Sequence, residues 1–465
     1  MSKVNALCFG GGGLVGTSKS LGHLLGLDQL VRDPSSQKEL KKSFFDYMVE
    51  AGVGLDNLEA RFLEVMESMP AESQHHDGDH ISRYFNLCLG ISGGSLLAAG
   101  VASGLPLNAL INEVIHFPVT KYFQPDFMEY FRVAKNLPKI PLNLLRVAYK
   151  EARNGLQRGP GEGLLLPTLR RISRVGFEFF AATGELLPRG LFSGEGIEDY
   201  IEELGRRYGF CNSFDDVNAS GRHLRIIAER FNTANRLGDF GTEASAVYFG
   251  APPHDRVPLS WAIRASCSIP GITTPTEYCD PERGGTRYQL VDGAIGKTIG
   301  RRRIFNDFDV GVAIAINPIV PYIGQLDSII DNMEQLYRKL IYSRLKAVEG
   351  HIEPEVARRT IHIESNPDDF FYNMLRFDKM KEGLFEGYFQ TLQTCGKRYA
   401  EMEEKLARGG LCLIPRNEIF RILNNNSLTR ERTKILRRAE MSKEGLGVQL
   451  GDAFGELIRA NEDAA

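Results

Sequence analysis

This sequence lacks an excess of either charge. Lys and Arg number 56 against 59 Asp and Glu, which leaves a formal net charge of -3. Without a basic excess, the chain is not expected to hold nucleic acid. Paired cysteines are lacking too: the seven are scattered, none forms a C-x-x-C pair, and the odd count argues against a disulfide framework. Reduced thiols are the expectation. No leader is evident, because glycines interrupt the short apolar stretch after Lys3 and no small-residue cleavage site follows. The expected location is cytoplasmic, with leaderless export equally compatible. Long apolar runs are limited to residues 84–112, which carry no charge. Length alone allows a membrane span there. Gly90, Gly93, Gly94 and Pro106 make a buried strand–turn–helix the better reading, so any membrane contact should be peripheral.

What remains is an ordinary globular composition, 43% hydrophobic and 25% charged over 465 residues, enough for a sizeable core. Residues 4–9 read as a short buried strand, followed by Gly10, Gly11, Gly12 and Gly13 and then a helix from about residue 18 to 30. A second strand, "YFNLCLG", precedes the helix "SLLAAGVASG". Strand patterns return at residues 223–231 and 244–250, at "RYQLVDG" and "FDVGVAIAIN" and, more weakly, at "TIHIES". From about residue 327 the chain reads as mostly helical. Stretches at about 34–80 and 105–185 read as helical inserts in a unit over 1–395, and 396–465 as a helical C-terminal tail. Strands alternating with helices imply an α/β fold whose mostly parallel sheet is covered on both faces. In such sheets functional groups gather beyond the carboxyl ends of the strands. The glycine loop, the "GISGG" turn and the "VDG" aspartate all follow predicted strands.

Two chemistries compete for the glycine loop. Gly11, Gly13 and Gly16 satisfy the dinucleotide fingerprint G-x-G-x-x-G. That fingerprint also wants a second strand ending in an acid about twenty residues on. Asp33 is near that position, but no apolar strand leads into it. The other chemistry is an oxyanion hole. Consecutive glycines let backbone N–H groups converge with no Cβ in the way, and the helix that follows adds positive potential.

An oxyanion hole needs a nucleophile. "GISGG" fits G-x-S-x-G, with Ser92 raised on a strand-to-helix turn flanked by Gly90 and Gly94. By itself this is equally an ordinary Gly/Ser turn. A base must come from elsewhere. His351 and His362 lie late enough for a Ser–acid–His order, yet that fold places several strands before its oxyanion loop, and here the loop begins at residue 10. Asp292 in "LVDGA" follows a buried strand, and a carboxylate held against a serine hydroxyl can act as its base. Alone, it is also an ordinary strand-end turn with Gly293 behind it.

Taken together, the glycine loop, "GISGG" and "DGA" resemble the patatin-like phospholipases, in order and in loop context. The stretches "VPLSWAIRASCSIPGITTPTEY" and "LPRGLFSGEGIEDYIEEL" are also similar to segments of that family. The resemblance spans residues 4 to about 395. It implies a three-layer α/β/α fold and a Ser-Asp dyad in which Ser92 is the nucleophile and Asp292 the base. Gly11, Gly12 and Gly13 would donate N–H groups to the oxyanion. It further implies phospholipid or lysophospholipid substrates, and neither a metal nor another cofactor.

The chain departs from the family pattern in places. Gly10 stands where many relatives have Asp, and Val15 where they have a basic residue, a place that Lys19 one turn on is expected to fill. "AIGKTIGRRR" follows Asp292 in place of the usual Asn-Pro segment, and Arg301, Arg302 and Arg303 read as a solvated charge run. "HHDGDH" at 75–80 has metal-ligand residue types without a presenting spacing. The basic stretch at 428–438 reads as an exposed helix. Two alternatives stay open: a lipid-binding module silent until a partner or ligand activates it, and a Ser-His-Asp esterase.

Overall fold

The computed structural model describes residues 3–34, 81–115, 190–231, 245–296, 300–321, 329–349, 352–365 and 380–423. Most of both expected inserts, residues 75–80, His351 and the basic stretch 428–438 lie outside the described residues.

The first half of the chain runs β1 (Val4–Phe9), α1 (Gly13–Leu30), β2 (Val31–Arg32), β3 (Leu87–Ile91), α2 (Gly93–Ala102), α3 (Leu107–Ile115), β4 (Gly190–Phe192), α4 (Glu195–Tyr208), α5 (Phe214–Ala219) and β5 (His223–Arg230). It continues through β6 (Ala246–Phe249), α6 (Leu259–Ser266), β7 (Gly271–Thr273), β8 (Thr276–Asp280), β9 (Thr286–Asp292), α7 (Gly293–Gly296), α8 (Arg301–Asp307) and β10 (Val310–Asn317). The last part holds α9 (Ile329–Glu349), α10 (Pro354–Arg358), β11 (Thr360–Glu364), α11 (Met380–Lys397), α12 (Tyr399–Arg408), β12 (Cys412–Leu413) and α13 (Arg416–Leu423).

Eight strands form the main sheet, in the order β11-β10-β1-β3-β5-β9-β8, with β6 also on β5. The strands β11, β10, β1, β3 and β5 run parallel. The pairs β6–β5, β9–β5 and β8–β9 are antiparallel. The sheet is thus mixed but mostly parallel, as the alternating pattern predicts. Side-chain alternation sorts the core into two layers. On β1, Leu7 and Phe9 face a cluster with Leu21 and Leu24 of α1, Leu97 of α2 and Leu384 of α11. Ala6 and Cys8 face the opposite cluster, with Ile304 of α8 and Ile341 and Leu345 of α9. Helices therefore cover both faces, giving the three-layer α/β/α arrangement.

The helix expected from about residue 18 begins five residues earlier, at Gly13. Glycine is a poor helix former, so the first turn carries no local signal; almost every residue of α1 is buried, and packing overrides propensity. Part of the C-terminal tail shares this core: Met402, Leu406, Leu413 and Ile419 are buried in it, and β12 pairs with β2. The run at 84–112 is a strand, turn and helices, and among the described residues no helix is long and apolar enough to cross a membrane.

One detail of the sheet positions everything that follows. β5 has two edges but three partners. β6 pairs with residues 226–229 of β5, overlapping both the residues paired with β3 (223–227) and those paired with β9 (228–230). β3 and β9 must therefore share the other edge and meet end to end. Ile91 lies opposite Ile227, and Asp292 opposite the next residue, Ala228.

Candidate functional site

Ser92 leaves β3 at this meeting point. Its backbone has φ 54° and ψ -135°, and among the described residues it is the one non-glycine with positive φ. Such a conformation costs about 1–3 kcal/mol and persists only where the surroundings enforce it. Here they do. The Ser92 N–H donates to Ser266 Oγ at 2.8 Å, and Ser266 Oγ donates to the Ile227 carbonyl at 2.6 Å. That hydroxyl links Ser92 to β5 where the β3 ladder ends. Ser95 Oγ donates to the Ser92 carbonyl at 2.5 Å. The tight turn also needs bare backbone. A Cβ on Gly94 would stand 2.5 Å from the carbonyl oxygens of Phe9 and Gly10, and one on Gly90 would stand 2.7 Å from Ala98 Cβ.

Asp292 arrives from the opposite direction. Its N–H donates to the Ser268 carbonyl at 2.8 Å, and its Oδ1 accepts from the Ala294 N–H at 2.8 Å. Oδ2 is buried, with no partner of ordinary hydrogen-bond geometry among the described residues. Burial raises the pKa of this carboxyl to about 7, against the downward pull of the Ser92 hydroxyl and the Ala294 N–H. Cys267, buried beside it, has its thiol pushed up by burial and by the Asp292 charge.

The glycine loop closes the third side. A Cβ on Gly11 would stand 2.9 Å from Ser92 Cβ and 3.3 Å from Ala294 Cβ. The N–H groups of Gly11, Gly12 and Gly13 make no hydrogen bond among the described residues. They sit at the N-terminus of the 18-residue α1, where the helix dipole favours negative charge. All the predicted residues, Gly11, Gly12, Gly13, Gly90, Ser92, Gly94 and Asp292, therefore gather around one point.

The other candidates lie elsewhere. His362 is on β11, level with Cys8 of β1 and Leu89 of β3. Three strand spacings, about 14 Å, separate it from the strand that carries Ser92. Lys19 is buried, its stem near Gly383 of α11, inside the helical layer. Arg302 reaches Glu353 and Arg303 reaches Asp307, both on the surface. His254, Asp280 and Glu282 bring ligand-type atoms within 4.8 Å of one another. Arg230 already spans them, 2.6 Å from Asp280 and 3.2 Å from Glu282, so a guanidinium supplies the positive charge there.

Ser266 and Ser268 were not legible as site residues, because hydroxyls in "ASCS" carry no pattern that ties them to a turn 174 residues away. Changing Ser266 to Ala is expected to leave the Ser92 N–H and the Ile227 carbonyl buried and unpaired. That should cost about 1–3 kcal/mol of stability, read as a lower denaturation midpoint, together with a fall in ester turnover. Thr at 266 keeps the hydroxyl and should restore much of both.

An apolar cleft begins one turn behind the glycine loop and the serine. Leu14, Leu96, Leu97, Gly100, Leu105 and Leu110 line it. Thr17, also in its wall, would touch a Cβ placed on Gly93.

A family model described as Patatin-like phospholipase matches residues 59–301, just over half of the chain. The match includes Ser92 and Asp292, and the glycine loop precedes it. No curated protein matches the chain.

Proposed function

The chain belongs to the patatin-like phospholipase family, whose members are lipid acyl hydrolases, and from that premise we propose that it cleaves fatty-acyl esters of phospholipids or lysophospholipids through a Ser92–Asp292 dyad. Asp292 takes the hydroxyl proton as Ser92 Oγ bonds to the ester carbonyl carbon. The oxyanion accepts hydrogen bonds from the Gly11, Gly12 and Gly13 N–H groups. One such donor is typically worth about 3 kcal/mol of transition-state stabilisation. The carbon–oxygen bond to the glycerol side then breaks, and the leaving oxygen takes the proton from Asp292. Water, deprotonated by the same carboxylate, attacks the acyl-serine; the fatty acid leaves and Ser92 regains its proton. Asp292 carries every proton in this cycle, so the chemistry calls for no metal or other cofactor.

The observation that carries this reading is the end-to-end meeting of β3 and β9, which joins a strained serine to a buried carboxyl with a pKa of about 7. A base with a pKa near the working pH is well matched to proton transfer. The apolar cleft beside α2 would take the acyl chain. Peripheral membrane contact and a cytoplasmic site of action belong to the same proposal, as does a catalytic unit over 1–395 whose core the first part of the expected tail completes.

Fatty-acid release from phospholipid vesicles by the purified chain tests it. Release without any added factor is expected. Release only after addition of cell extract would favour the silent module that awaits a partner. No release under either condition contradicts the proposal.

A further inference from the structure

The helix α9 lies outside the segment matched by the family model, yet it reaches the site. Arg344 donates to the Ile295 carbonyl of α7, the short helix directly after Asp292. Arg338 donates to the Val320 carbonyl beyond the end of β10. Ile341 and Leu345 enter the core layer that also holds Ile91 and Ala294, and the Tyr337 ring packs against that same layer. These contacts hold the stretch from Arg338 to Leu345, directly after Tyr337, against the strand ends around the site.

The Tyr337 hydroxyl is buried and has no hydrogen-bond partner among the described residues. Burial, with the Asp292 carboxyl adding to it, keeps the phenol protonated far above its ordinary range. Asp292 Oδ2 is likewise buried without an ordinary partner. A buried hydroxyl left without a partner costs about 1–3 kcal/mol. Native proteins seldom keep such groups without a role for them, and a catalytic one is among the known reasons. The complementary ligand atom must accept from the phenol and exchange a proton with the carboxyl. An ester's alcohol oxygen does both as it leaves: it gains a lone pair, then takes the proton from Asp292.

Resting on the Ser92–Asp292 reading, we infer that Tyr337 is a further catalytic residue, donating a hydrogen bond to the alcohol oxygen of the ester as its bond to the acyl carbon breaks. The electron pair of that bond goes to the leaving oxygen, Asp292 delivers the proton, and Tyr337 keeps its own. Help of this kind matters for a poor leaving group such as a glycerol alkoxide. It matters little for p-nitrophenolate, which departs unaided.

The test compares Tyr337→Phe with the wild-type chain on two esters of one acyl chain, a glycerol ester and a p-nitrophenyl ester. The readout is kcat/KM, which reports acylation alone. The expected result is a loss of about tenfold or more on the glycerol ester, with the p-nitrophenyl ester changed by less than about twofold. Equal losses on both esters would make Tyr337 a packing residue only, and no loss on either would remove the role entirely. A Ser92→Ala control separates the two claims. If Ser92→Ala still turned over either ester, or the wild type turned over neither, the dyad would fail and this role with it.

Discussion

Replacing Asp292 with Asn is expected to lower ester turnover by about four orders of magnitude while making the fold more stable at pH 8. The two effects have one cause. Burial holds the carboxyl at a pKa of about 7, against its ordinary value of 3.8. Below about pH 4 the group is protonated in both folded and unfolded chains, and it costs the fold nothing. As pH rises towards 7 the unfolded chain ionises freely while the folded chain resists, so stability is lost across that window and the penalty is complete above it. At about 1.4 kcal/mol per pKa unit, the wild type carries a burden of a few kcal/mol at pH 8. Asn cannot ionise, and its Oδ1 can still accept from Ala294, so the burden disappears along with the base. In the wild type, kcat/KM should rise about tenfold per pH unit below 7 and level off above it, because only the carboxylate form accepts the Ser92 proton. Chemical denaturation at pH 5 and pH 8, beside a pH–rate profile on a soluble ester, checks both signs. A wild type as stable as Asp292→Asn at pH 8 would show that this carboxyl is not buried as described.

A valine at Gly11 should cut turnover nearly as deeply, with a different signature. The Cβ alone would approach Ser92 Cβ to 2.9 Å and Ala294 Cβ to 3.3 Å, closer than such atoms normally come, and the two γ-methyl groups would enter the space meant for the oxyanion. A fall in kcat of about a hundredfold or more is expected. Adsorption to phospholipid vesicles should be unchanged, because the substitution is buried and removes only transition-state interactions. Valine at Gly12 should behave alike by another route. Its φ of 153° disfavours any side chain, and a Cβ there would stand 2.8 Å from Gly16 Cα. Cosedimentation with vesicles, measured beside turnover, separates loss of chemistry from loss of binding. Parallel losses in both would place the glycine loop in lipid binding.

Much of this site was legible because its signals are local. The strand at 4–9, the glycine cluster behind it and "GISGG" behind a second strand each carry their pattern within a dozen residues, and the rule that function gathers at carboxyl ends of strands did the rest. What escaped depends on partners far away in the chain. Nothing in "RYQLVDG" shows that β9 runs against β5 and meets β3 head to head, since strand direction is set by the sheet around it. Ser266 matters only because its hydroxyl falls at that junction. Tyr337 lies in a helix whose sequence reads as generic, and its one distinction, a buried hydroxyl without a partner, exists only after folding. The first turn of α1 was hidden for a different reason: its residues are glycine-rich, and packing holds the turn in a helix despite poor propensity.

Under the proposed dyad the four glycines make sense beside a Ser92 nucleophile: among the described residues the N–H groups of Gly11, Gly12 and Gly13 make no hydrogen bond, so they can meet the charge on an ester carbonyl that Ser92 attacks. Labelling with a fluorophosphonate, followed by peptide mapping, tests that claim most directly. The phosphonyl group should be found on Ser92 alone, and labelling should vanish in Ser92→Ala. Adduct on any other residue, or undiminished labelling of Ser92→Ala, would contradict it.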